Sequence, residues 1–459
     1  MAVTGGTDLT RGNAAVNLLK FTVPFLLAFF LQMLYGMVDM LVVGHYGGGR
    51  DAVAAVANGG EVMHMVASLI MGLTTGATVL IGRHYGAQDR ETAVRCAGMT
   101  MSLSLILAAA MTAAMVPGVR WIAGVLQTPP EALEATVTYA TICSWGIVFI
   151  IGYNALAAIF RGFGNSSAPL VFVAIACVVN VAGDLVLVKE CGMGVAGVAC
   201  ATVASQALSM LFALWFLARS QFGFRFVREN FRIPLRHAWQ FFKIGVPVGL
   251  QSVMVGLSFL LMFYIVNGMG VTAAAAYGIG GRVNAFCMLP AIAFSMAIAA
   301  VAAQNMGANK PKRALVSLRL AVTYTMAFGA LVLALLQLFP REVAGLFLDR
   351  SAPGTEETLD AAVGFLRSFS WEFILVPVVF CTNGFFNGCG RALFSMCNNL
   401  GSTFVVRVPA ALFFSKLPGA TLFEVGLAAP LASFFSNVIA VYYLASGRWR
   451  PARRRRCAP

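Results

Sequence analysis

Hydrophobic and polar positions along this chain are grouped on the scale of long helices, not of strands. Apolar runs of about 20 residues or more, enough to cross a bilayer as a helix, recur from end to end between short polar breaks. Windows of about 19 residues predict twelve helices, near 17–45, 53–82, 97–118, 135–160, 168–188, 193–218, 239–266, 272–303, 316–339, 361–387, 393–415 and 421–446. The longest breaks are 219–238, which is basic, and 340–360, which is acidic. The expected fold class is all-α integral membrane with twelve transmembrane helices. The polar first 16 residues and the length of the first run argue against a cleaved signal peptide, so that run reads as a retained helix.

The pattern repeats once. "ANGGEV" (57–62) aligns with "GIGGRV" (278–283), and "RHYGAQDRETA" (83–93) with "QNMGANKPKRA" (304–314), both at an offset of 221. "VPFLLAFFLQ" (23–32) matches "VPVGLQSVMV" (246–255) at 223, and "FRGFGN" (160–165) answers "FNGCGR" (386–391) at 226. Several matches in order at nearly one offset indicate an internal duplication. Six spans per half start both halves on the same side, so a pseudo-two-fold axis along the membrane normal is expected, not an inverted repeat. The expected division is an N-lobe at 1–218 (helices 1–6), a cytoplasmic linker at 219–238, and a C-lobe at 239–459 (helices 7–12) with a basic tail.

Composition narrows the class. Hydrophobic residues make up 59% of the 459 positions and charged residues only 11%, against about 25% charged in soluble domains. With both ends placed in the cytoplasm, 23 of the 32 lysines and arginines fall on the cytoplasmic side and 6 on the other. That bias fits the positive-inside rule. The net charge of +14 therefore sets topology, and the tail "RWRPARRRRCAP" suits anionic lipid; no soluble segment is left to bind nucleic acid. The ten cysteines are scattered singly, without a CxxC pair, and the four histidines show no ligand spacing. Neither a disulfide framework nor a zinc site is expected from such spacing, and no metal is assigned, apart from sodium as an alternative ion below.

A few charges lie inside the spans. Asp39 stands in "MLYGMVDMLVVGHYGG" (33–48), where a carboxylate costs roughly 2.5–3.5 kcal/mol on insertion scales and marks function more often than packing. At about 1.5 Å per residue, Asp39, Asp184, Asn180, Tyr139 and Thr202 all fall in the outer part of the first bundle. Asn180 lies one turn before Asp184 on the same face. Hydrogen bonds from Tyr139, Asn180 and Thr202 could hold the two carboxyl groups around one exchangeable proton. The second half has no acid at 262 or 410, the positions opposite, so the expected site is asymmetric. Glu61 and Arg282 occupy equivalent positions of the two halves and form a candidate gate pair. Glu372 and Arg407 are candidates for the lining of a C-lobe cavity or for a structural pair.

These residues carry a resemblance. From "VPFLLAFFLQMLYGMVDMLVVGHYG" through "YGAQD" and "FRGFGNSSAP" to "GRW", the chain resembles the MATE (multidrug and toxic compound extrusion) transporters of the MOP flippase superfamily. The resemblance implies two six-helix lobes that export bulky organic cations or amphiphilic drugs by ion-coupled antiport. It implies no bound cofactor beyond the coupling ion, H+ or alternatively Na+, and lipid as the surroundings. The DinF-like branch carries an N-lobe cluster that Asp39, Tyr139, Asn180, Asp184 and Thr202 match. The sodium-coupled NorM-like branch expects an acid in span 7, and 239–266 contains none. The expectation is a monomeric, multi-pass protein of the cell (inner) membrane with both termini cytoplasmic. A lipid-linked oligosaccharide or lipid flippase of the same superfamily is the alternative; it would call for a strongly cationic cavity, for which only Arg282 and Arg407 offer themselves. An enzyme is not expected, since no HExxH or partnered GxSxG is present.

Overall fold

The structure, a computed structural model, describes residues 6–125, 128–219, 227–348 and 354–450. Residues 220–226 of the linker, 349–353 of the acidic loop and 451–459 of the basic tail lie outside the described residues.

Among the described residues twelve longer helical segments follow one another, six in each half, besides a short helix at Pro340–Gly345 and a 3-10 turn at Arg228–Phe231. In the first half they are α1 (Ala14–Tyr46), α2 (Arg50–Gly86), α3 (Arg90–Val125), a bent α4 (Pro130–Trp145 and Ile147–Gly162), α5 (Ser167–Glu190) and α6 (Gly194–Arg219). The second half holds α7 (Leu235–Asn267), α8 (Val271–Cys287 and Leu289–Gly307), α9 (Pro311–Leu338), a bent α10 (Thr355–Phe369 and Glu372–Gly388), α11 (Ala392–Gly401, Ser402–Arg407 and Val408–Ser415) and α12 (Leu422–Ala445). Among the described residues nine helices are long and apolar enough to cross a bilayer, or eleven if the bent α4 and α10 each count as one span. The segment that falls short is α11, whose apolar run is interrupted by Asn398, Asn399 and Arg407.

The bends have local causes. In α4 the 51° break falls at Gly146, where an added Cβ would stand 2.5 Å from Val203 of α6. In α10 the break is 49°, and Gln337 of α9 donates its side-chain amide to Arg367 O (2.8 Å) and Ser370 Oγ (2.9 Å) there. A side chain that satisfies carbonyls freed from the ladder stabilises such a kink.

Packing divides the chain into two compact units: 6–12 with 19–249, and 13–18 with the described part of 250–450. The division falls at Gly249, inside α7, and not at the 219–238 linker. Glycine spacing explains why. Gly72 and Gly76 of α2 meet Gly245 and Gly249 of α7 four residues apart on both helices; a Cβ on Gly76 would stand 2.4 Å from Phe241 O, and one on Gly72 2.3 Å from Gly249 Cα. Small residues at this spacing let helix backbones approach where no hydrophobic force separates protein from lipid. The first half of α7 is thereby bound to the first unit.

Turn geometry repeats with the sequence. Gln88 (φ 62°) and Asn309 (φ 56°) are the two non-glycine residues with left-handed backbone among those described, and they stand at the 221 offset. The surrounding bonds repeat too: Asp89 N to His84 O (3.0 Å) and Lys310 N to Asn305 O (2.8 Å). Gly164 and Gly390 (φ 81° and 75°) close the α4–α5 and α10–α11 corners at the 226 offset. At the first corner Asn165 Oδ1 accepts from Ser167 N (3.1 Å) and Ala168 N (3.0 Å), which caps α5. At the α2–α3 corner Asp89 accepts from Thr92 N and pairs with His84 Nδ1, each at 3.2 Å. Slight burial tends to raise the Asp89 carboxyl, but these bonds outweigh it and hold it below its ordinary value.

Candidate functional site

The first unit contains a buried cluster of acids. Asp39 lies on the inner face of α1 with Val43 one turn beyond it, while Leu34, Met37, Met40 and Leu41 point outward. Asp184, fully buried, ends the α-helical part of α5, and Asn180 precedes it by one turn. From Leu185 to Glu190 the helix widens into a π-helical turn, a rare form frequent at functional sites. Gly183 lets α5 approach α6, since a Cβ there would come 3.0 Å from Ala201 Cβ.

The Asp39 carboxyl lies beside Asp184 and Asn180, close enough for the two carboxyls to interact electrostatically. Asn180 Nδ2 also points to Thr202 Oγ1, at a long 3.5 Å. Asp39 Oδ1 and both Asp184 oxygens are buried without a donor from the protein. Two ionised carboxylates are acceptors only, so they can face each other in a dry interior only if a proton or another cation stands between them. The cost of leaving both bare is several kcal/mol per ion.

Of the five residues expected here, Asp39, Asp184 and Asn180 come together directly. Thr202 reaches the pair through Asn180. Tyr139 is buried with its ring over Gly59, where a Cβ would stand 2.5 Å from Cδ1, and it lies within electrostatic range of Asp39 and Cys143. Tyr35 joins the cluster without having been expected there: it stands one turn from Asp39 and within electrostatic range of it, of Tyr153 and of Cys177. The i, i+4 spacing of "YGMVD" is the signal that points to it. Along α1 and α5 runs an apolar groove of about 700 Å³, lined by Leu27, Phe30, Leu31, Val171, Val178 and Val179 among others.

The second unit carries a different pair. Glu372 is buried at the start of the second half of α10, and its Oε1 accepts from Ser433 Oγ at 2.7 Å. Arg407, which ends a second π-helical turn (Ser402–Arg407) in mid-α11, lies over the Phe259 ring at 4.5 Å and within electrostatic range of the Tyr277 phenol. Glu372 and Arg407 attract each other electrostatically without direct contact, and Glu372 Oε2 and Arg407 Nε lack partners. Glu61 and Arg282 are exposed, each on its own unit.

A long all-helical chain with two compact units and charged groups enclosed among apolar helices defines a polytopic membrane transporter. The chain belongs to the MatE family, which it matches over residues 24–186 and 247–413. It is 27% identical over 447 residues to a probable multidrug resistance protein, YpnP, of Bacillus subtilis, covering 96% of this chain and 97% of that protein. It is 23% identical to a FAD transporter of Shewanella oneidensis, covering 95% of each. A MOP superfamily transporter from Pyrococcus furiosus shares the fold, with a TM-score of 0.91 at 21% identity, covering 98% of this chain and 99% of that one.

Proposed function

We propose that this protein exports bulky organic cations and amphiphilic drugs by alternating access, as a secondary active antiporter driven by protons exchanged at Asp39 and Asp184. The observation that carries the reading is the pair of facing buried carboxyls, three of whose oxygens have no donor from the protein. One proton between them relieves the repulsion; its loss leaves a net negative site that must rearrange, admit a cation or take up another proton. Such a group couples an ion to conformation because its two protonation states prefer different packings of α1 and α5. The apolar groove on the same two helices offers an amphiphile a surface whose shape would change with that packing. Sodium at the same oxygens is the competing ion, and the lack of an acid in α7 speaks against the second sodium site that NorM-like relatives would carry. The distribution of basic residues supports both termini on the cytoplasmic face of the inner membrane.

A second reading is an anionic amphiphile, a nucleotide cofactor or lipid-linked sugar. It is favoured by the relative named a FAD transporter and by the unpaired Arg407 Nε among aromatic rings. Proteoliposomes loaded with cationic dyes, with FAD as the anionic comparison, and given a proton or a sodium gradient separately, test both readings. Dye export driven by the proton gradient alone is expected. Export that responds only to sodium overturns the proton assignment, and movement of FAD but of no cation overturns the substrate class.

A further inference from the structure

Away from the acid pair, at the end of the first unit rich in basic residues, three side chains from three helices converge. His84 lies in the last turn of α2, Cys96 in the second turn of α3 and His237 in the first turn of α7. Each offers one ligand atom, and these atoms all lie within 4.8 Å of one another. The two imidazoles meet edge to face with centroids 5.8 Å apart. We propose that His84, Cys96 and His237 form a binding site for a borderline-soft divalent metal ion of the zinc class.

The donor set selects the metal. Two imidazoles and a thiolate suit zinc-like ions, whereas calcium and magnesium require oxygen ligands. Tetrahedral bonds of about 2.0–2.3 Å bring ligand atoms to roughly 3.4–3.6 Å from one another, so closure needs a shift of about 1 Å, within reach of side-chain torsions. Asp89 supplies the second, independent observation. Its Oδ2 holds His84 Nδ1 at 3.2 Å, which leaves Nε2 as the ligand nitrogen. A carboxylate behind a ligating histidine fixes its tautomer and raises its basicity. One thiolate and the Asp89 carboxylate match the charge of a divalent ion; of the two arginines that act on His237, Arg95 is engaged by Glu91 at 2.5 Å and Arg236 is exposed to solvent. Cys96 is buried, but the His84 side chain is 24% exposed, which gives the ion an entry path, and the thiol proton leaves to solvent as the metal binds. A fourth position remains for water. A bound ion would pin the first turn of α7 to the α2–α3 corner, and this site is independent of the ion coupled to transport.

The test is a cobalt titration of the tag-free, full-length protein in detergent. One equivalent of Co2+ is expected to produce tetrahedral d–d bands with thiolate-to-cobalt charge transfer, both removed by excess Zn2+. Cys96→Ser should abolish the charge-transfer band, the part-exposed His84→Ala and His237→Ala should each lose tight binding, and Asp89→Asn should weaken it about 10–100-fold. Size-exclusion profiles verify folding, and the histidine variants decide the matter if Cys96→Ser does not fold. A cobalt spectrum without the thiolate band overturns the proposal, as does one that survives the double substitution of His84 and His237.

Discussion

The two units enclose charge in opposite ways. In the first, two acids face each other and no protein donor reaches three of their oxygens. In the second, an acid and a base attract each other without direct contact, Glu372 bonded to Ser433 and Arg407 lying over the Phe259 ring. A pair of opposite charges is neutral as built and needs nothing from outside. A pair of like charges is neutralised only by something that comes and goes. Duplication therefore supplied two similar bundles, and divergence left two acids buried together in one and an acid and a base in the other.

The comparison breaks most visibly at the acids. Asp39→Asn and Asp184→Asn should each reduce proton-driven export in vesicles to background while the protein stays monodisperse, because an amide cannot exchange the proton. Wild-type export by Asp39→Asn would end the ion-coupling reading. Glu372→Ala should act mainly on stability, by about 1–3 kcal/mol, since it strands the Ser433 hydroxyl and leaves Arg407 without its counter-charge; export by the surviving folded protein should remain measurable. If this variant instead stays fully stable and loses transport as completely as Asp39→Asn, the second unit carries a coupling group as well and the contrast fails. The smallest effect sharpens the likeness between the units. Gln88→Gly should stabilise by at most roughly 1 kcal/mol, because glycine occupies the left-handed region without strain. Asn309→Gly should gain less, since asparagine tolerates that region better. Thermal unfolding followed by size exclusion resolves both, and an equal or reversed order would mean that the two corners bear different loads.

Most of the fold is legible in the chain alone. A bilayer demands long apolar helices because no water is present to satisfy the backbone, so hydropathy announces twelve runs, and up to eleven of the described helical segments are long and apolar enough to cross. The duplication is legible too, and the paired left-handed residues at 88 and 309 repeat it in backbone geometry. The site is legible in part: an acid within a membrane helix is costly enough to single out Asp39, and spacing along α5 gives it Asn180 and Asp184 as companions. Tyr139 falls within electrostatic range of Asp39, a proximity that no spacing along the chain displays, because the two residues stand on different helices.

By itself the sequence determined what each segment must do in a membrane: where it crosses, which charges it must bury, and that its halves descend from one pattern. Helical periodicity and desolvation are local, and they leave their mark in consecutive residues. Tertiary structure alone decided the rest. It set the unit boundary at Gly249, through glycines of α2 and α7 that are far apart in the chain. It turned two separate acids into a facing pair. It also gathered His84, Cys96 and His237, whose spacing gave no warning, because packing brings together side chains from helices that sequence distance keeps apart.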